Sequence, residues 1–196
     1  MRRHPRPRRS QPIERHALAG LLAQASPDQW AEPSLCDGWR VREVVAHITM
    51  SYRISMPRFL FGLARSGFKF NSYSDQQARA DATRLTDAQL LASLQDNIEH
   101  PWRPPGGGQV GALSHDVIHG FDITEPLGWP AAPPERIKLV LEHAGKKNLA
   151  FFGTDLTGKR LIADDVDLTL GDGPREIRMT AREMLLAVTG RAPLPS

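Results

Sequence analysis

Two histidines four residues apart, His115 and His119, are followed three residues later by Asp122. On a helix, at about 100° per residue, the two imidazoles lie about 40° apart and Asp122 about 20° to the other side of His115. The three form one stripe. Val110, Leu113, Val117, Ile118 and Phe121 fill the adjoining arc, so the stripe borders the face that a helical bundle buries. Imidazoles at i and i+4 can reach one metal ion. Such a pair at a core edge is more often two solvated or hydrogen-bonded side chains. A third ligand from another element would decide for a metal. His47 is the candidate, at the border of an apolar face made by Val41, Val44, Val45, Ile48 and Tyr52. The remaining histidines offer less: His4 lies in an arginine-rich start, His16 beside Arg15, His100 before a proline and His143 in a late helix. Each reads as a surface or capping residue.

Other side chains carry two readings. Asp122 could orient a histidine or move a proton, or bond backbone near a helix end. Glu43, one turn before His47, could reach a metal or its water, against a solvated face. Trp39 and Trp30 could wall a pocket, but large aromatics usually pack cores. Arg103, in a Pro- and Gly-rich break, could meet an anionic ligand. Cys36, the lone cysteine, excludes an internal disulfide and a cysteine-rich zinc site, and reads first as a small buried hydrophobe. Glycines 106–108 lack the Lys-Ser/Thr and preceding strand of a phosphate loop, and read as a flexible link.

The elements that must position these residues are mainly helical. Helix patterns cover Pro12–Ala25, a long run opening at Trp39, Thr86 to about Glu99, Val110–Leu127, and Pro134 to about Asn148. Ser26-Pro27-Asp28 breaks the first, and residues 30–38 read as a loop. Pro57 should end or kink the second near Met56. Thr86 and Gln89 form a capping box. Residues 66–74 read as a loop. After residue 152 short β-type runs surround Gly171–Pro174, and Thr180–Thr189 returns to helix before Gly190. This gives three expected units: a disordered basic tail at 1–10, a bundle at 11–152, and a small strand-plus-helix element at 153–196.

The formal net charge is +3, and five arginines lie within the first nine residues, so the remainder carries −2. The basic character belongs to the tail, and a nucleic-acid partner is not expected. No apolar run approaches the roughly 18 residues needed to cross a bilayer, so no membrane partner is expected. The apolar stretch after the arginines suits an amphipathic helix better than an export signal, and one cysteine suits a reducing cytoplasm.

"CDGWRVREVVAHI" at 36–48, preceded by Trp30 and Pro33-Ser34-Leu35, resembles the N-terminal signature of the DinB/YfiT-like bundles, in their mycothiol-dependent maleylpyruvate isomerase-like branch. "DVIHGFDITEPLG" at 116–128 resembles that branch's His-Gly-x-Asp-Ile-x-x-Pro-Leu-Gly segment. "DVDLTLGDGPREIRMTAREMLLAVTGR" at 165–191 resembles its short strand-plus-helix ending. Together the likeness covers most of residues 12–191. It implies an up-down-down-up four-helix bundle with a divalent metal at its mouth, zinc foremost. The ligands it implies are His47, His115 and His119. One position departs: where the isomerase branch often has Glu or Asp, this chain has His115, which leaves a ligand set without charge and a more Lewis-acidic centre.

Three protein ligands leave an open position, the mark of a catalytic site. The resemblance implies mycothiol as co-substrate, its thiolate held at the metal and attacking a small electrophile. The expected activity is a metal- and mycothiol-dependent transferase or isomerase. Asp122 and Glu43 are its candidate catalytic groups, and Arg103 and Trp39 its candidate contacts to bound ligands. Two alternatives use the same ligands: a hydrolase acting through metal-bound water, and a non-catalytic metal-binding bundle. Monomer and homodimer are both open.

Overall fold

A computed structural model describes residues 7–104, 107–142, 152 and 154–195, with side chains from Ser10. The chain is mainly helical, with a small sheet and a C-terminal helix. α1 runs Pro7–Leu22, α2 Pro27–Ala31, α3 Val41–Arg53 and α4 Met56–Arg65. α5 runs Phe70–Arg84, α6 Asp87–Gln95, α7 Gly108–Leu127 and α8 Pro134–Glu142. Then come β1 (Lys159–Ala163), β2 (Thr169–Leu170), β3 (Arg175–Met179) and α9 (Ala181–Val188).

Several boundaries follow from local chemistry. Ser26 caps α2 through a reciprocal pair with Gln29, with Pro27 in the first turn, so a short helix holding Trp30 forms where a break was expected. Thr86–Gln89 and Thr180–Glu183 close the same device on α6 and α9. Pro57 falls in the first turn of α4, and α3 has already ended at Arg53. Gly128, at φ 64, takes the left-handed cap that ends α7.

Two expectations change. The stretch 66–74 is not a loop throughout: α5 starts at Phe70 and carries Ser74. Its buried face is Tyr73, Ser74, Ala78, Asp81 and Ala82. Alanines and polar groups give a weak apolar signal, yet they let α5 lie close against α3. α1 starts at Pro7, inside the stretch expected to be disordered. Residues 1–6 lie outside the described residues, as do His143 and the expected end of the late helix at Asn148.

The sheet has the order β2-β1-β3, with β1 parallel to β3 and antiparallel to β2. Gly171–Pro174 therefore links two strands that flank β1 and are not hydrogen-bonded to each other. A Cβ at Gly173 would collide with the Gly158 backbone, so glycine is required there.

Two clusters make the core, and α7 serves both. Leu113, Val117, Ile118 and Phe121 pack with α8, the sheet and α9. Ile123 packs with Leu18, Leu22, Trp30, Val44, Val45, Leu90 and Leu94 of the N-terminal helices. Trp30, 4% exposed, is thus a core residue.

One buried ion pair locks α1 to α7. Arg15 Nε donates to Asp116 Oδ2 at 2.7 Å, with the side chains 2% and 7% exposed. Its Nη1 donates to the carbonyls of Asn97, Ile98 and His100 at 3.3, 3.2 and 2.7 Å. Removing one partner of such a pair strands the other without solvent. Arg15→Met should therefore cost about 3–5 kcal/mol, read as a lowered urea midpoint; a loss near zero would show that the pair is dispensable.

Candidate metal centre

α3 and α7 lie side by side and bring three imidazoles together. The His47 ring centre is 5.1 Å from that of His115 and 4.7 Å from that of His119, and His115 and His119 are 4.7 Å apart. One ligand nitrogen from each lies within 4.8 Å of the others. His47 Nε2 and His115 Nε2 stand 3.2 Å apart. Two nitrogens on one tetrahedral zinc, at bonds of 2.0–2.1 Å, sit about 3.3 Å apart.

The outer nitrogen of every ring is already engaged. His119 Nδ1 meets Asp122 Oδ2 at 2.8 Å, and His115 Nδ1 meets Asp116 Oδ1 at 3.3 Å. An ionised carboxylate only accepts, so both rings carry their proton on Nδ1 and leave a lone pair on Nε2, which in His115 faces His47. His47 Nδ1 meets Ser74 Oγ at 2.9 Å. A hydroxyl both donates and accepts, so Ser74 supports either tautomer of His47. At 3.2 Å the His115 lone pair and His47 Nε2 need a proton or a cation between them. The donor set therefore fits a divalent ion, with the orienting partners typical of histidine ligands.

Asp122 is fully buried and holds four donors. Arg191 clamps it from Nε to Oδ1 at 2.8 Å and from Nη2 to Oδ2 at 2.9 Å. Oδ2 also takes His119 and the Cys36 thiol, the latter at 3.0 Å. Burial pushes the Asp122 carboxyl up, but the hydrogen bonds from Arg191 and His119 outweigh it and hold it well below the usual carboxylate range. Cys36, His119 and Asp122 are close enough to suggest a second metal group. With Asp122 Oδ2 already taken by three donors, the trio is better read as the support behind His119. Burial first, then the Asp122 charge, pushes the Cys36 thiol far up, so it stays protonated. Its loop is pinned there by Leu35 N donating to Asp122 O at 3.1 Å, and Gly38 turns it with φ 67.

Two indoles flank the cluster. The Trp39 ring centre lies 5.3 Å from His47, its Nε1 held by Asp75 Oδ1 at 2.6 Å. The Trp102 ring centre lies 5.0 Å from His115. The side chains of His115 and His119 keep 18% and 17% exposure, so the cluster reaches the surface.

The expected residues divide. His47, His115, His119, Asp122 and Trp39 come together. Glu43 instead folds back on Arg40, accepting from its backbone N at 2.9 Å, Nε at 3.0 Å and Nη2 at 2.6 Å. That contact starts α3 and occupies the carboxylate. Arg103 is exposed beside Trp102. Sequence reading missed Ser74, Asp116, Arg15, Trp102 and Arg191. Only Ser74 left a trace, in the 74, 78, 82 spacing of α5's buried face.

Comparison with known proteins adds a likeness over part of the chain. Residues 12–101 match the mycothiol maleylpyruvate isomerase N-terminal domain. The match to that N-terminal domain takes in most of α1 and all of α2 to α6, with Cys36, Trp39, His47 and Ser74, and ends before α7. Two uncharacterized proteins of Mycobacterium tuberculosis, from strains CDC 1551 / Oshkosh and ATCC 25618 / H37Rv, are each 22% identical over 165 residues, 71% of this chain and 64% of theirs. The chain thus spans less than two thirds of those relatives. No solved structure matches it.

Two outcomes follow from the geometry. Ser74→Ala removes the partner that orients His47 and should weaken zinc affinity about 10–100-fold in competition with a chelator; unchanged affinity would separate Ser74 from the site. Burial first, then the neighbouring histidines, holds His47 well below its ordinary value of 6.5, and burial likewise lowers His119. Below pH 6.5 the unfolded chain takes up protons that the folded chain refuses, so stability falls with acidification until the folded values are reached. Urea midpoints of the metal-free protein should drop from about pH 7 to about pH 5. In His47→Gln that slope should shrink, and an equal slope would place the titration elsewhere.

Proposed function

We propose that this protein is a metal-dependent, mycothiol-dependent transferase or isomerase acting on a small electrophile. The observation that carries the reading is the set of three imidazoles, each held through Nδ1 by a neighbouring side chain, with one ligand nitrogen of each within 4.8 Å of the others at a partly exposed point. Three neutral ligands with an open side suit a catalytic rather than a structural ion. The match of residues 12–101 to a mycothiol isomerase domain favours a thiol as the group that meets it.

His47, His115 and His119 would hold the ion, with zinc the first candidate for a nitrogen donor set. A divalent ion held there would supply the positive charge that favours a deprotonated thiol near neutral pH. The chain's own residues supply order. Ser74, Asp116 and Asp122 fix the three rings, and Arg15 and Arg191 fix the two carboxylates. Trp39 and Trp102 flank the cluster with apolar surface that narrows water access. Asp122 acts by orienting His119, since four donors and full burial leave it no role as a proton acceptor. Glu43, occupied by Arg40, serves α3. Arg103, exposed and next to Trp102 in the chain, would be the group to meet an anionic substrate.

Zinc-loaded protein should consume mycothiol when offered a panel of small electrophiles, and His119→Ala should reduce the rate at least about 100-fold. Equal rates in His119→Ala, or no thiol consumption with zinc, would overturn the reading. Turnover in thiol-free buffer would transfer the site to hydrolysis.

A further inference from the structure

α4 turns its apolar face away from the protein. Phe59 packs against α5, its ring centre 5.4 Å from that of Tyr73, and Gly62 lies so close to Tyr73 that a side chain would collide. The sides turned from α5 carry Met56, Leu60 and Phe61, which are 66%, 55% and 66% exposed. No residue of α4 is buried. The turn after it and the first residue of α5 add Phe68 and Phe70, 77% and 47% exposed. An amphipathic helix ordinarily gives such an arc to a core, and a concentration of exposed apolar side chains marks an interaction surface.

The charge around this patch has one sign. From Val44 to Ser74 the chain holds no aspartate or glutamate, while it holds Arg53, Arg58, Arg65 and Lys69. Arg53 is used internally by Asp81. Arg58, Arg65 and Lys69 are exposed. On the helix wheel Arg58 and Arg65 fall within about 60° of Phe61, at the edge of the apolar arc. The Arg65 guanidinium carbon lies 5.9 Å from the Phe61 ring centre. A second copy of the chain on this face would set these cations against themselves, with no carboxylate in the segment to answer them. An anionic bilayer answers both features, with acyl chains for the apolar arc and negative headgroups for the rim.

We propose that α4 and the turn following it seat on an anionic lipid surface. Met56, Leu60, Phe61 and Phe68 enter the headgroup boundary, and Arg58, Arg65 and Lys69 meet the headgroups. The contact is peripheral: among the described residues no helix is long and apolar enough to cross a membrane. α4 carries none of the residues that hold or orient the three imidazoles, so the surface is separate from the metal centre.

The test is co-sedimentation of the full zinc-loaded chain with vesicles of phosphatidylcholine and phosphatidylglycerol, against phosphatidylcholine alone. Binding is expected on the anionic vesicles only. It should weaken about a hundredfold in Arg58→Gln/Arg65→Gln/Lys69→Gln, and should be lost in Leu60→Ser/Phe61→Ser. These side chains are exposed, so the variants should keep the wild-type circular dichroism and zinc content. Absence of binding by the wild type overturns the proposal. So does binding that ignores Leu60→Ser/Phe61→Ser, which would point to the N-terminal arginines. A dimer seen by sedimentation and dissolved by that double variant assigns the face to a second copy, and overturns it too.

Discussion

Three imidazoles packed ring to ring and mostly shielded from water must each have their nitrogens answered, because a shielded polar group without a partner is costly. That constraint organises much of the chain around α3 and α7. Asp116 answers His115 and is held in turn by Arg15 of α1. Ser74 answers His47 from α5. Asp122 answers His119 and is clamped by Arg191, just beyond α9. Support for each ring therefore draws on a different part of the fold. The same bonds that aim the rings also fasten α1, α5 and the C-terminal segment to the bundle.

α7 is the element through which this works. Its apolar residues divide between two core clusters, one shared with the N-terminal helices and one with α8, the sheet and α9. Its histidine stripe runs between them and faces α3. Packing fixed on both sides leaves α7 little freedom to rotate, so the positions of His115 and His119 are set by hydrophobic contacts rather than by the polar groups themselves. The polar groups then need only choose the ring orientation. The Arg15 contacts extend this order outward, since the carbonyls it binds lie just before Trp102, which stands against His115.

Much of this could be read from residue order. The i, i+4 spacing of His115 and His119, the position of His47 at the edge of an apolar face, and the capping box at Thr86 are local patterns with local physical causes. α5 escaped because its buried face is alanine, serine and aspartate, which leave little hydrophobic periodicity. Glu43 had the spacing of a site residue, but a local competitor, Arg40 at the N-cap of α3, took its carboxylate. The basic first residues suggested a tail, yet the helix starts inside them, at Pro7.

By itself the sequence determined which side chains could bind a metal and which helices would present them, because both are written in short-range spacing. Only the tertiary structure decided how those side chains are held. His47 and His115 are separated by 68 positions, Arg15 and Asp116 by 101, and Asp122 and Arg191 by 69. No periodicity reaches across such gaps. A lone arginine or serine carries no sign of the partner that packing will bring to it.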